Sequence, residues 1–163
     1  MSHEEYMEMA LELSLFGMGH VAPNPMVGCV IVHNDNVISK GYHTAYGEAH
    51  AEVEAIKYVE DKSILKECTL YVTLEPCAHF GKTPPCANLI TEMGIPTVVV
   101  GTRDPFSAVN GKGIEHLKAH GVEVIEGILE DECRFVNRRF FTFHEKKRPY
   151  IILKWAQTAD GFM

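Results

Sequence analysis

The feature that most constrains the fold of this chain is a set of three potential metal ligands that lie far apart in the sequence. Cys77 and Cys86 each follow a proline and have eight residues between them, and His50 lies upstream of both. One imidazole and two thiolates are a ligand set for a catalytic zinc ion, whose fourth position stays open for water. Glu52 is then free to move protons. Any fold of this chain has to bring these side chains together.

A structural zinc site is the alternative interpretation of the same residues. Such a site normally has four protein ligands, and His79, between the two cysteines, could supply the fourth. The catalytic interpretation accounts for Glu52 as well. Zinc lowers the pKa of a bound water molecule to about 7, and a nearby carboxylate can pass the released proton to a leaving amine. We therefore expect a catalytic zinc ion.

The spacing of His50 and Glu52 also predicts where the metal lies. Residues two positions apart on a helix point about 200° apart, so both can reach a metal only beyond the N-terminal end of their helix. Cys86 opens a second predicted helix directly after Pro85. Two helix N-termini should therefore converge on the metal, where their dipoles favour thiolates.

Composition limits the classes of protein to which this chain can belong. Its 163 residues suffice for one domain, and its formal net charge of −7 argues against nucleic-acid binding. No apolar run approaches the roughly 20 residues of a membrane span, and the acidic N-terminus is unlike a signal peptide. Five cysteines make an odd number for a disulfide framework. We expect a cytoplasmic protein without membrane contact, in which Cys29, Cys68 and Cys133 are buried core residues.

The order of predicted elements indicates the fold class. A hairpin comes first, and helices and strands then alternate, which favours a three-layer α/β/α domain with parallel strands in the middle and an antiparallel pair at one side. The sheet should be mixed and five-stranded. Helices are predicted at 3–18, 50–60, 86–93, 113–120 and 128–142, and strands at 27–32, 37–42, 68–73, 96–101 and 122–125.

The C-terminal segment differs from the rest of the chain. Residues 146–149 have the composition of a linker, and 150–156 have the pattern of one more strand. We interpret 1–145 as one zinc-dependent domain and 146–163 as a linker and the first strand of a second, truncated domain. Because the sheet of that domain is missing, we expect the segment to be poorly ordered or packed against another chain.

Several motifs accompany the candidate ligands. They are Pro23-Asn24-Pro25-Met26-Val27-Gly28, Gly41-Tyr42-His43, Gly47-Glu48-Ala49-His50-Ala51-Glu52, Thr73-Leu74-Glu75-Pro76-Cys77, Gly81-Lys82-Thr83-Pro84-Pro85-Cys86, and Asp104-Pro105 ahead of Gly111-Lys112-Gly113. His-x-Glu with Pro-Cys is typical of zinc deaminases. Together the motifs, over residues 20–115, resemble the deaminase domain of the riboflavin-biosynthesis deaminase, usually the N-terminal half of a bifunctional deaminase–reductase. The eight-residue gap separates that family from cytidine, guanine and tRNA-adenosine deaminases.

The resemblance implies a cytidine-deaminase-like fold and a specific reaction. The substrate would be 2,5-diamino-6-(ribosylamino)-4(3H)-pyrimidinone 5′-phosphate, a small molecule, and the product 5-amino-6-(ribosylamino)uracil 5′-phosphate. Zinc would be held by His50, Cys77 and Cys86, with Glu52 as the catalytic proton shuttle. We expect no NADPH binding, because the reductase domain is absent from this chain. A homo-oligomer is compatible with the family, as is an alternative substrate, another nucleoside or base.

The resemblance also assigns substrate contacts that the residues alone leave open. It implies contacts from Asn24, His43, Lys82, Thr83 and Asp104. Taken alone, the Pro-Asn-Pro segment could be a simple connector, and the loop histidine and the lysine could be solvated side chains. After Asp104-Pro105 the family often continues Asn-Pro, where this chain has Phe106-Ser107. Ser107 or Asn110 could supply the polar group that the family asparagine provides.

Overall fold

The described residues form one mixed sheet with helices on both faces. The computed structural model describes residues 1–78, 84–107 and 109–161. The strands are β1 (Gly28–His33), β2 (Asn36–Tyr42), β3 (Thr69–Leu74), β4 (Thr97–Thr102) and β5 (Glu123–Glu126). The helices are α1 (His3–Ser14), α2 (Ala51–Lys57), α3 (Cys86–Met93), α4 (Lys112–Ala119), α5 (Glu130–Val136) and α6 (Arg138–Lys146), with short 3₁₀ turns at Leu15–Gly17 and Lys62–Glu67.

The strand order confirms the predicted five-stranded mixed sheet with an N-terminal hairpin. The strands lie in the order β2-β1-β3-β4-β5. Strand β1 is antiparallel to both β2 and β3, whereas β3, β4 and β5 are parallel. Asn34 and Asp35, with φ of 48° and 60°, form the two-residue hairpin turn. Positive φ at both central residues gives a turn whose twist matches that of the strands.

Alternate strand residues bury against two different helical layers, which confirms the three-layer architecture. Cys29 and Ile31 of β1 face a core shared with α2, α3 and α4. Val30 and Val32 face a second core, shared with α1 and α5. This alternation is the period of two that a strand imposes on its side chains. Cys29, Cys68 and Cys133 are all buried in these cores, as expected.

Gly41 allows α2 to pack directly on β2. A Cβ atom at this position would lie 2.4 Å from the backbone oxygen of Ala51 and 2.4 Å from the backbone nitrogen of Ala55. Only a residue without a side chain permits this approach. The close packing places the N-terminus of α2, with His50, beside the sheet.

The predicted helix at 128–142 is wrong in one respect, because Asn137 divides it into α5 and α6. The Asn137 side chain accepts a hydrogen bond from the backbone N–H of Met26 and donates one to its carbonyl oxygen, each at 2.8 Å. These bonds tie the break to the loop before β1. The break turns α6 towards that loop, a result that helical periodicity alone does not indicate.

The predicted strand at 150–156 is also wrong, since residues 149–157 have no regular secondary structure. Ile151, Ile152, Leu153 and Trp155 are exposed. A strand needs a neighbour to pair its backbone groups, and no strand among the described residues pairs with this segment. The domain boundary at 145 stays a prediction. Within the described part of the chain, no helix is long and apolar enough to cross a membrane.

Candidate active site

Three potential metal ligands meet at the ends of three elements. His50 is the N-cap of α2, and Cys86 is the first residue of α3, so two helix N-termini converge as expected. Cys77 lies three residues beyond the end of β3. Their ligand atoms all lie within 4.8 Å of one another. His50 Nδ1 is 3.3 Å from Cys86 Sγ and 3.6 Å from Cys77 Sγ.

These distances fit a tetrahedral zinc ion. Bond lengths of about 2.0–2.1 Å to nitrogen and 2.3 Å to sulfur place a nitrogen and a sulfur ligand about 3.6 Å apart at the tetrahedral angle. A set of one imidazole and two thiolates is also the donor chemistry that zinc prefers. His50, Cys77 and Cys86 are therefore suited to hold zinc, and no fourth protein ligand joins them among the described residues.

The surroundings of the cluster favour a thiolate at Cys77. A hydrogen bond from the Cys86 thiol, followed by one from His50, lowers the pKa of Cys77. The backbone N–H of Cys86 also donates to Cys77 Sγ at 3.3 Å. The pKa of His50 is raised to about 9, chiefly by its hydrogen bond with Cys77. Since metal ligation requires deprotonated ligands, zinc binding here releases protons.

Glu52 lies in the first turn of α2 and is 3% exposed. Burial, which disfavours the charged carboxylate, raises its pKa to about 7, and the neighbouring His50 opposes that shift. A proton-transfer group works best when its pKa lies near the working pH. The burial of this side chain beside the ligands therefore suits it to take up and release a proton near neutrality.

A cavity of about 410 Å³ opens in front of the cluster. It lies beyond the ends of β3 and β4, at Leu74 and Asp104, which is where open α/β sheets commonly bind ligands. One wall contains His50, Glu52 and Cys77. Of the other predicted contacts, Asn24, His43 and Asp104 also line the cavity. Lys82, Thr83 and His79 lie outside the described residues.

Asn24 and His43 form a linked pair on the cavity wall. His43 Nδ1 is 2.9 Å from the carbonyl oxygen of Ala49, which only accepts, so Nδ1 carries the hydrogen. Its Nε2 then accepts a hydrogen bond from the Asn24 side-chain amide at 3.1 Å. Burial lowers the pKa of His43, which favours this neutral form. The carbonyl oxygen of the Asn24 side chain receives no hydrogen bond from the described residues and can accept one from a ligand.

Asp104 is a buried carboxyl group on the same cavity. Its pKa is raised to about 6, first by burial and then by the charges of Glu75 and Cys77. Its Oδ1 accepts a hydrogen bond from the backbone N–H of Phe106 at 2.8 Å. Ser107 and Asn110, the expected replacements for a family contact, are exposed and do not line the cavity.

An aromatic wall completes the cavity, and the sequence did not indicate it. We define this wall as Phe106, Phe140, Phe143 and His144, all of which line the cavity. The His144 ring lies 5.2 Å from Phe106, 4.4 Å from Phe140 and 5.2 Å from Phe143, between ring centroids. Phenylalanine in a helix normally indicates core packing. The sequence contains one signal for the position of α6, namely Asn137, because asparagine is unfavourable inside a helix and indicates a break.

Comparisons with known proteins agree with this geometry. A profile of the cytidine and deoxycytidylate deaminase zinc-binding region matches residues 1–102. The diaminohydroxyphosphoribosylamino-pyrimidine deaminase of Buchnera aphidicola (subsp. Schizaphis graminum) is 44% identical over 83% of this chain and 91% of its own length. The riboflavin biosynthesis protein RibD of Actinobacillus pleuropneumoniae is 46% identical over 99% of this chain.

A solved structure gives the same result for the fold. A diaminohydroxyphosphoribosylaminopyrimidine deaminase/5-amino-6-(5-phosphoribosylamino)uracil reductase from Thermotoga maritima superposes with a TM-score of 0.91 at 49% identity, over 97% of this chain. The chain spans only 45% of that protein and 42% of the Actinobacillus RibD. This chain therefore belongs to the cytidine and deoxycytidylate deaminase family and, within it, to the group of RibD proteins and diaminohydroxyphosphoribosylamino-pyrimidine deaminases.

Proposed function

We propose that this chain catalyses the zinc-dependent hydrolytic deamination of 2,5-diamino-6-(ribosylamino)-4(3H)-pyrimidinone 5′-phosphate in riboflavin biosynthesis. The product is 5-amino-6-(ribosylamino)uracil 5′-phosphate, with release of ammonia. One observation carries the proposal: a buried carboxyl group, Glu52, lies beside three side chains that are suited to hold zinc and that adjoin a cavity. The named substrate rests on the relatives, two of which are called deaminases of a diaminohydroxyphosphoribosylamino-pyrimidine.

The reaction exchanges one carbon–nitrogen bond for a carbon–oxygen bond. Water supplies the oxygen, and the amino group on C2 of the pyrimidinone leaves as ammonia. Zinc, when bound, supplies the Lewis acidity that makes water a nucleophile near neutral pH. Glu52 accepts a proton from the attacking water and delivers it to the leaving nitrogen, so one residue acts first as base and then as acid.

The cavity supports a substrate of this kind. Its volume of about 410 Å³ lies within the range of roughly 300–1,000 Å³ that small-molecule sites occupy. The carbonyl oxygen of Asn24 can accept from an N–H of the pyrimidine, and Asp104 offers a second polar group. The aromatic wall gives the flat ring an apolar surface and reduces the access of bulk water.

The phosphate requires a partner outside the described lining. A phosphate group needs cationic or N–H donors, and the described lining residues include no lysine or arginine. Lys82 and Thr83, in the loop between the two cysteines, are our candidates for this contact. The expected lack of NADPH binding, homo-oligomer formation and the cellular compartment stay predictions.

A second candidate function is deamination of cytidine or a related nucleoside. The matching profile is that of the cytidine and deoxycytidylate deaminase zinc-binding region, which favours it as the alternative. A structural zinc site is the third. It predicts four protein ligands and no role for Glu52.

The test is a Glu52→Gln variant with zinc analysis and ammonia release. We expect one zinc per chain to remain and turnover of the diaminopyrimidinone phosphate to fall by about 10²–10⁴-fold or more, because general acid–base transfer contributes this much. Glu54→Gln, on the same helix with its side chain near Lys57, is the control and should keep full activity. Activity on cytidine alone would establish the second candidate, and an unchanged Glu52→Gln turnover would refute the proposed mechanism.

A further inference from the structure

Glu75 directly follows β3 and lies two positions before the candidate zinc ligand Cys77. Its side chain is 3% exposed. Its backbone N–H donates to the carbonyl oxygen of Thr102 at 2.9 Å, which continues the pairing of β3 with β4. The side chain therefore points from a rigid strand end into the interior of the domain. The proposed reaction assigns it no role.

Both carboxylate oxygens of Glu75 accept backbone hydrogen bonds. Oε2 accepts from the N–H groups of Asp104 and Gly111, at 3.1 and 2.9 Å. Oε1 accepts from those of Gly113 and Ile114, at 2.9 and 3.4 Å. A group whose two oxygens only accept is an ionised carboxylate. Hydrogen bonds to a charged acceptor are roughly twice as strong as neutral ones.

Two of these N–H groups, those of Gly113 and Ile114, belong to the first turn of α4. Gly111 is the N-cap of that helix, with φ of 90°, and supplies no side-chain cap. The free N–H groups at a helix N-terminus favour a negative charge, and Glu75 supplies it from a distant part of the chain. Gly113 makes the approach possible, since a Cβ atom there would lie 1.9 Å from the carbonyl oxygen of Pro76.

The segment held in this way forms part of the cavity. Asp104, Phe106 and Val109 line the cavity, and all three lie within the stretch whose two ends bond to Glu75. Three further backbone hydrogen bonds lie in and next to this segment, from Val109 to Phe106, from Lys112 to Val109 and from Glu115 to Gly111. One carboxylate thus links the strand end that leads to Cys77 with the wall that carries Asp104.

We propose that Glu75 is a positioning residue. It sets the distance between the three candidate zinc ligands and the cavity-lining segment that contains Asp104. This inference rests on the proposed function, because it assumes that Asp104 and Phe106 contact the substrate. Substrate binding depends on Glu75, whereas zinc binding by His50, Cys77 and Cys86 does not.

The experiment compares Glu75→Gln with Glu115→Gln. An amide keeps the size of the side chain but has one acceptor oxygen, so it leaves one pair of N–H groups without a partner. Glu115 lies on the same first turn of α4 and is exposed, which makes it the matched control. Kinetics on the diaminopyrimidinone phosphate, zinc content and amide hydrogen exchange are measured for both.

For Glu75→Gln we expect one zinc per chain, a KM raised by about tenfold to a hundredfold and a kcat within about threefold of the unmodified protein. Glu115→Gln should leave all three unchanged. Glu75→Asp keeps the charge with a shorter reach and should raise KM by less. It is the second variant if Glu75→Gln does not fold. An unchanged KM, or loss of zinc with an equal fall in kcat, would overturn the proposal.

Failure of the proposed function gives a different result. If the unmodified protein does not deaminate this phosphate, the substrate assignment is wrong, and hydrogen exchange then decides the role of Glu75. The amides of Gly111 and Gly113 should exchange faster in Glu75→Gln than in Glu115→Gln, while zinc content stays the same. Equal exchange in the two variants would show that Glu75 does not hold the segment.

Discussion

At the residue scale, one hydrogen-bonded pair, Asn24 and His43, sets the orientation of a polar group on the cavity wall. His43 is held by the carbonyl oxygen of Ala49 and in turn holds the NH₂ group of Asn24. The histidine therefore acts on the orientation of the asparagine and has both ring nitrogens engaged. The Asn24 carbonyl oxygen becomes a fixed acceptor, a suitable partner for an amino or ring N–H of the proposed substrate.

We expect Asn24→Ala to raise KM by about three- to tenfold with little change in kcat, because it removes the neutral hydrogen bond that we propose to the substrate. Zinc content should not change, since Asn24 is not a ligand. Asn36→Ala, which removes an exposed amide at the start of β2, is the control. Steady-state kinetics would check this, and equal KM values for the two variants would show that Asn24 makes no contact.

At the element scale, the position of α6 distinguishes this site from a bare zinc centre. The profile of the deaminase zinc-binding region ends at residue 102, and α6 lies beyond it. Asn137 anchors the start of α6 to Met26, and Phe141 of the same helix is buried. Phe140, Phe143 and His144 are then held on the cavity. The aromatic wall is thus supplied largely by a segment outside the region that the deaminase profile matches.

Replacing Phe140 tests this wall. We expect Phe140→Ala to raise KM by about tenfold, since fully burying an aromatic side chain against a ligand contributes roughly 1.5–3 kcal/mol. Phe135→Ala is the matched control, because Phe135 lies on α5, is exposed and does not line the cavity. Kinetics and thermal unfolding of both variants would check this. An unchanged KM for Phe140→Ala would show that the aromatic wall does not contribute to substrate binding.

At the scale of the whole molecule, the candidate zinc site joins elements that are distant in the sequence. His50 belongs to the start of α2, Cys77 to the segment after β3, and Cys86 to α3. Burial and hydrogen bonds already gather these side chains around one point. Since the unfolded chain offers no such preformed site, the free energy of metal binding adds to the free energy of unfolding.

Removing zinc should therefore lower the thermal midpoint. A ligand at a thousandfold excess over its Kd contributes about 4 kcal/mol, and 1 kcal/mol shifts the midpoint of a chain of this size by about 2–4 °C. We expect a strong chelator to lower Tm by about 8–16 °C. Calorimetry with and without chelator would measure it. Cys77→Ser, which lacks one ligand, should respond little, and an equal Tm for the unmodified protein in both conditions would contradict a bound metal.

Much of the architecture follows from local patterns. Apolar runs and turn signals predicted the hairpin and the order of elements, and the alternation of helices and strands predicted the three layers. The break at Asn137 and the lack of regular secondary structure at residues 149–157 did not follow from them. Whether a helix turns or a strand forms there depends on a partner elsewhere, Met26 in one case and a neighbouring strand in the other.

The sequence by itself indicated the zinc chemistry that we propose for this protein. His50, Glu52, Cys77 and Cys86 are the residue types that hydrolytic deamination needs, and helix geometry predicted that they would meet at two helix N-termini. Only the tertiary structure decided the rest of the cavity. The aromatic wall and the anchoring of the Asp104 segment by Glu75 depend on contacts between residues far apart in the chain, and local residue patterns do not encode such contacts.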